Sequence, residues 1–375
     1  MEENLFPGKL GLQQRVLTTY RADFFETLAQ ACAGGLSVCA GRPRSEESIA
    51  VTDQIHGADF HPIQNMHLLK GRLYLCYQRG LPAWLESDSP DALIVEANPR
   101  YLSTPTVIRW MKKRSRPVIG WGLGARTASN SANLLQKWSA WSQNTFRKSF
   151  INQFDALLTY SRRGAQEYAA LGFPADKIFV APNAAAKRPN QAMPVRSRNF
   201  DGQPMVLFVG RLQARKRIDL LLQACAALPA QEQPRLVIVG DGPERPALEN
   251  LAKTVYATAE FPGAKHGTEL AAYFCAADLF VLPGTGGLAV QEAMSYELPV
   301  IMGRGDGTND DLVRPGNGWQ IAPDNLSELA NCLRVALSNV TLLRTMGTES
   351  FRIVKEEINL EKMVEVFVKA LNSVK

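Results

Sequence analysis

LPGTGGLAVQEAM, Leu282 to Met294, follows the apolar run Asp278 to Leu282 and leads into a segment with helical periodicity, so its glycines stand where a strand ends and a helix begins. Anions bind at such junctions. The first N–H groups of a helix lack intrahelical partners and carry partial positive charge, and Gly284, Gly286 and Gly287 leave them open to a ligand. Thr285, Leu288 and Ala289 share the junction, and Glu292 lies about a turn and a half into the helix, where a carboxylate accepts hydrogen bonds from ligand hydroxyls. A phosphate on the amides beside a polyol describes a nucleotide. Glycines there also serve ordinary turn geometry.

Outward from this junction, apolar strand-like runs alternate with helical stretches. In the second half the runs are MVLFVG (Met205 to Gly210), RLVIVG (Arg235 to Gly240), AEF, DLFVL and PVIMG (Pro299 to Gly303), with helices near Ile218 to Leu228, Pro243 to Leu251 and Thr268 to Ala276. The first half repeats the rhythm, with strands expected at Leu36 to Ala40, Ala92 to Glu96, Pro117 to Trp121, Ala156 to Tyr160 and Ile178 to Ala181, and helices such as Tyr20 to Cys32 and Leu102 to Arg114. Strands separated by helices make a parallel sheet covered on both faces. The class is α/β, with two doubly wound domains. Lys187 to Pro204, with prolines at 189, 194 and 204, breaks the rhythm and reads as a linker. The expected division is 1–190, a linker at 191–204, 205–355, and a C-terminal helix at 356–375 that crosses back to the first domain.

Ligands of such sheets bind beyond the carboxyl ends of the strands. The loops there in the second half, Gly210 to Arg217, Gly240 to Pro243, Gly263 to His266 and Gly284 to Gly287, are polar and glycine-rich. In the first half they are Glu96 to Arg100, Gly120 to Arg126 and Ser161 to Arg163. Two domains facing one another leave a cleft.

Composition narrows the function. With 375 residues and 46% hydrophobic content, the chain supports two domains. No uncharged apolar run approaches membrane-spanning length and the N-terminus lacks signal-peptide character, so a cytoplasmic location is expected. The six cysteines are scattered without a C-x-x-C pair and are read as buried reduced thiols. His56, His61 and His67 lack metal-ligand spacing, and no metal is expected. The net charge of +6 conceals an asymmetry: residues 1–200 hold 25 Lys and Arg against 15 Asp and Glu, and residues 201–375 hold 17 against 21. Between Glu96 and Asp155 there is no acidic residue, while ten basic ones occur, among them Arg100, Arg109, Lys112, Arg116, Arg126 and Lys148. Within that interval Lys137 to Phe150 interleaves Trp138, Trp141, Phe146 and Phe150 with basic residues, as interfacial helices do on anionic membranes. Core packing of the same aromatics is the alternative. No nucleic-acid-binding module is recognisable.

FVGRLQARKRIDLLLQA (Phe208 to Ala224), VGDGPERPALENLA (Val239 to Ala252), FPGAKHGTELAAYFCAADLFVLPG (Phe261 to Gly284) and QEAMSYELPVI (Gln291 to Ile301), together with Ser161 to Ala184 upstream, resemble in order and spacing the family 4 retaining nucleotide-sugar glycosyltransferases. The resemblance implies the GT-B fold, two Rossmann-like domains facing a central cleft, with the donor held by the second and the acceptor by the first. It implies that Arg211 and Lys216 act on the donor diphosphate. Gly210, Gly263, Lys265, Gly284, Thr285, Gly286, Gly287, Leu288, Ala289 and Glu292 would complete the donor site. Glu96, Arg100, Trp121 and Arg126 are the candidates for the acceptor, and the polar loop Asp306 to Asp311 resembles one near the family's cleft. Two departures stand out. The family usually has a Glu where this chain has Gly284, and many members have a His in the first-domain loop where Val118 to Ala125 offers Trp121 and glycines.

The reaction so implied moves a sugar from a UDP- or GDP-sugar to an acceptor hydroxyl with retention, the acceptor being a lipid-linked or surface-polysaccharide glycan. Cations and amides at the departing diphosphate bind the transition state better than the ground state. There is no Asp-x-Asp pair to hold a metal, so Arg211 and Lys216 are expected to replace it, and no cofactor is expected. The basic first domain adds an expected peripheral contact with the inner face of an anionic membrane. Two other readings share the phosphate loop: a nucleotide-sugar epimerase of the same fold, and a binding protein without catalytic activity.

Overall fold

The computed structural model describes residues 5–47, 49–125, 134–190, 196–200, 202–305 and 307–374. It divides into two units, Met1–Ala185 with Leu360–Lys375, and Ala186–Asn359.

In unit 1 the strands are β1 (Leu10–Val16), β2 (Leu36–Gly41), β3 (Asp59–Pro62), β4 (Gln64–Leu68), β5 (Leu75–Arg79), β6 (Ala92–Glu96), β7 (Val118–Gly122), β8 (Ala156–Thr159) and β9 (Ile178–Val180). Seven form a parallel sheet in the order β3-β2-β1-β6-β7-β8-β9, and β4 and β5 pair as a separate antiparallel hairpin. Helices α1 (Ala22–Gln30), α2 (Leu81–Asp88), α3 (Thr104–Lys112), α4 (Leu134–Ile151) and α5 (Arg162–Ala170) cover it. The strands expected from apolar runs are present. β1 was not expected; its segment LGLQQRV carries two glutamines in mid-strand. Both are buried: Gln13 donates to the side chain of Gln78 and accepts from the Glu96 N–H at 3.0 Å. Such pairing is what makes a buried amide tolerable.

Unit 2 contains β10 (Met205–Val209), β11 (Arg235–Val239), β12 (Glu260–Gly263), β13 (Leu279–Leu282), β14 (Val300–Gly303) and β15 (Gly318–Ile321), with α6 (Ile218–Ala226), α7 (Arg245–Val255), α8 (Gly267–Ala276), α9 (Leu288–Ser295), α10 (Thr308–Leu312), α11 (Leu326–Leu337) and α12 (Val340–Glu356). The sheet order is β12-β11-β10-β13-β14-β15. Counted within the unit this is 3-2-1-4-5-6, the doubly wound Rossmann order, whose direction reverses between β10 and β13. Unit 1 reverses in the same way between β1 and β6. Buried strands such as VLFV of β10 and FVL of β13 read as continuous apolar runs because helices cover both faces.

Arg196 closes one end of unit 2. Its guanidinium donates to the carbonyls of Phe274 at 3.0 Å and Tyr296 at 2.6 Å, and also to that of Ala277. These are carbonyls at the C-terminal ends of α8 and α9, which have no intrahelical partner.

Helix α13 (Leu360–Ser373) returns to unit 1. Leu360, Met363, Val364, Phe367, Val368 and Leu371 recur at helical spacing and are buried. Phe367 meets Phe24 at 5.0 Å and Trp121 at 4.9 Å between ring centroids, the latter edge to face.

Two expectations need correction. Cys32, Cys39, Cys76 and Cys225 are buried free thiols, but Cys275 is exposed and Cys332 only partly covered. The apolar neighbour Phe274 faces the core, and one residue further the helix has turned through about 100°. In α4, Phe150 is core at 4% exposure whereas Phe146 stands 62% exposed. The side chains of Trp138 and Trp141 lie outside those described.

Candidate active site

In unit 2 the loops after β10 and β13, the two strands at the reversal, bind each other. Gly284 N–H donates to the Lys216 carbonyl at 3.1 Å and Thr285 N–H to that of Arg215 at 3.0 Å. This lacing explains the glycine where the family carries a Glu. A β-carbon at residue 284 would fall 2.1 Å from the Arg215 carbonyl oxygen, so this backbone admits no side chain there.

The three consecutive basic residues are sorted by the fold. Arg215 reaches across to the Thr285 carbonyl at 3.2 Å. Arg217, in the left-handed region at φ 53°, forms ion pairs with Asp219 and Asp324. Lys216 alone turns its ammonium to the glycine loop, where Nζ would lie 2.2 Å from a β-carbon on Gly286, itself at φ +135°. Among the described residues this ammonium has no hydrogen-bond or ion-pair partner. It is half-buried, and loss of hydration, reinforced by the charge of Arg215, lowers its pKa to about 8. A desolvated, unpartnered cation against an uncapped helix start favours an anion strongly.

Helix α9 begins there with Gly287 as its N-cap, and no side chain caps it. Leu288 is exposed and Ala289 partly so. Glu292 points from α9 to solvent, yet its surroundings strip enough water to raise its carboxyl above the usual range. The Arg211 side chain is exposed after Gly210 and, like the carboxylate of Glu292, has no hydrogen-bond or ion-pair partner among the described residues. Lys265, by contrast, is engaged with Glu269 at 3.4 Å, and the Gly263 carbonyl accepts from Gly240 N–H at 2.9 Å. The structure therefore gathers Lys216, the loop 284–287 and the start of α9, and gives Lys265 a partner of its own. Asp306 lies outside the described residues, while Thr308 to Asp311 form the start of α10.

Unit 1 has a cavity of about 570 Å³ lined by the loops that follow β1 and β6 and by residues after β7 and β8. Glu96, Arg100 and Trp121 all line it; Arg126 lies outside the described residues. Glu96 Oε2 accepts from the Arg15 N–H at 2.6 Å. Burial raises its carboxyl to about 7, against the pull of that N–H and the charges of Arg15 and Arg21. Trp121 is more core than contact, at 2% exposure. The sequence reading missed Arg21, whose guanidinium lies 5.3 Å from the rings of both Trp121 and Tyr160 and donates to Asn183 Oδ1 at 2.7 Å. An arginine at a helix entry gives no signal of such a cage.

Residues 9–184 match the glycosyl transferase 4-like domain, and residues 190–352 match the glycosyl transferases group 1 model. The chain belongs to the family 4 glycosyltransferases. It is 44% identical over 118 residues to a GDP-mannose-dependent alpha-mannosyltransferase of Mycolicibacterium smegmatis, an alignment covering 31% of this chain and 29% of that protein. With the sulfoquinovosyl transferase SQD2 of Arabidopsis thaliana it shares 34% identity over 161 residues, 42% of this chain and 29% of that one. The chain thus spans less than a third of either relative. Among solved structures, Anabaena Alr3699/HepE in complex with UDP superposes with a TM-score of 0.71 at 16% identity, covering 97% of this chain and 99% of that one. The fold of this family member is GT-B, as expected, with a Rossmann-like sheet in each unit. Among the described residues no helix is long and apolar enough to cross a membrane.

Proposed function

We propose that the protein transfers a sugar from a nucleoside diphosphate donor to an acceptor hydroxyl, with retention at the anomeric carbon and without a metal ion. The observation that carries this is the Lys216 ammonium, partly desolvated and unpartnered beside the glycine loop that opens α9. A diphosphate placed there meets Lys216, Arg211 and the amides of Gly287 and Leu288, while Glu292 accepts from ribose hydroxyls. As the glycosidic bond breaks, negative charge grows on the leaving diphosphate, and fixed cations and amide dipoles stabilise it without reorganising. The leaving phosphate accepts the acceptor's proton, so no enzymic base is required.

The donor is a UDP- or GDP-sugar. The relatives named for GDP-mannose and the UDP complex of the structural neighbour support both bases. The cavity of unit 1, with Glu96 and Arg100, takes the acceptor, a lipid-linked or surface-polysaccharide glycan, and the protein works in the cytoplasm at the inner face of the membrane. The test is incubation with UDP- and GDP-sugars. Slow release of free nucleotide, lost in Lys216→Ala, supports transfer. An isomerised donor sugar would overturn the reading in favour of an epimerase, and tight inert binding in favour of a binding protein.

A further inference from the structure

The β4–β5 hairpin is inverted in polarity. Its protein-facing positions are polar: Asn65 donates to the carbonyls of Arg15 at 2.7 Å and Arg42 at 2.8 Å, and Gln78, 1% exposed, bonds Gln14, Asn65 and Ser103. Three of its solvent-facing positions are apolar, between the exposed pair Gln64 and Arg79 and the turn. Met66 and Tyr77, a directly opposed cross-strand pair, are 43% and 41% exposed, and Leu68 is 40% exposed. The turn continues the pattern, with Leu69 at 61% and Leu73 at 71%, the largest exposures among the large hydrophobics of this segment. Leu69 also holds a left-handed backbone, φ 58°, a conformation that costs a leucine energy while displaying its side chain to water.

Single exposed leucines are ordinary, but here five large apolar side chains are exposed within residues 66–77 of one hairpin. Its charge is one-sided. From residue 60 to residue 85 there is no Asp or Glu, while Lys70, Arg72 and Arg79 occur. Lys70 and Arg79 are exposed, Arg42 lies at the edge in a pair with Asp53, and Glu46 near Lys70 is the acidic neighbour they outweigh. Aliphatic side chains at a tip, a tyrosine at the base and basic residues around them match an anionic lipid surface, whose headgroups attract the cations and whose acyl boundary takes the leucines.

We propose that the β4–β5 hairpin is the element by which this protein sits on an anionic bilayer, with Leu69 and Leu73 inserted and Lys70 and Arg79 at the headgroups. The hairpin is wired to the cavity of unit 1. Cys76 N–H donates to the Arg100 carbonyl at 3.0 Å and Leu102 N–H to the Cys76 carbonyl at 2.9 Å, so the loop that lines the cavity is the next strand-like neighbour of β5. Docking the hairpin therefore brings that cavity close to the lipid surface. The docking itself does not depend on the transfer reaction.

The full chain is sedimented with vesicles of phosphatidylcholine alone or with phosphatidylglycerol as about a third of the lipid, at low and high salt, and its oligomeric state is measured in parallel. Expected is binding to the anionic vesicles that weakens as salt rises, reduced roughly tenfold by Leu69→Ser with Leu73→Ser and by Lys70→Glu. Each variant is accepted as folded when its unfolding transition matches the parent. Undiminished vesicle binding by the double serine variant overturns the proposal. So does a parent oligomer that the double variant dissociates, which would make this face a contact between copies. Neither readout requires turnover, so failure of the glycosyl-transfer reading leaves the result interpretable.

Discussion

The ammonium of Lys216 lies so close over Gly286 that a β-carbon on the glycine would fall 2.2 Å from Nζ. A lysine tip is flexible and yields, so the fold survives Gly286→Ala, at about 1–3 kcal/mol for the positive φ. The displaced cation does not. Binding of UDP or GDP, measured by calorimetry, is expected to weaken roughly tenfold or more, the worth of a charge-assisted hydrogen bond. Unchanged affinity would remove Lys216 from the site.

The depressed pKa of Lys216, about 8, makes binding depend on pH. The protonated amine is the form that holds an anion, so nucleotide affinity declines as pH rises through 8. A bound diphosphate raises the pKa again, and binding near pH 8 takes up a proton. Calorimetry in buffers of differing ionisation enthalpy reads that proton directly. Lys216→Arg keeps its charge at any such pH and should abolish the uptake.

Glu96 titrates at about 7 in the folded chain against 4.5 for a free glutamate. The folded state therefore binds the proton more tightly, and the stability this contributes is full below pH 4.5 and lost as pH rises through 7. Denaturant unfolding of Glu96→Gln should lack that decline. The difference between the parent and variant curves isolates it from the other carboxylates.

Arg196→Met leaves the carbonyls of Phe274, Ala277 and Tyr296 without their donor. The loss of charged hydrogen bonds to partly buried carbonyls is expected to cost about 2 to 3 kcal/mol. The shift appears in the unfolding of unit 2, while the tryptophan environment of unit 1, around Trp121, is unaffected.

The parts of the fold legible in the sequence were those whose physics is local. Strands buried on both faces, such as β6 and β10, read directly as apolar runs, and the glycines before α9 marked a strand-to-helix junction. β1 was missed because the buried Gln13 side chain is satisfied by Gln78, 65 positions away, a pairing that no window of sequence contains. The same limit applied to the site. Lys216 was singled out by the family resemblance; its residue type and neighbours alone do not separate it from Arg215 and Arg217, whose partners Thr285 and Asp324 come from distant loops. The collision that forbids a side chain at residue 284 is likewise tertiary.

Helix α13 supplies Phe367 to the aromatic cluster of Trp121 and Phe24, yet it follows all of unit 2 along the chain. On the ribosome, then, the first unit to emerge is the last to be finished. Its sheet must wait, with an apolar trench uncovered, until some 170 residues of another body have been translated, at about 5–20 residues per second. For that interval of many seconds the nascent chain presents a ready target for chaperones, and a stop codon anywhere before α13 would harm the unit made first.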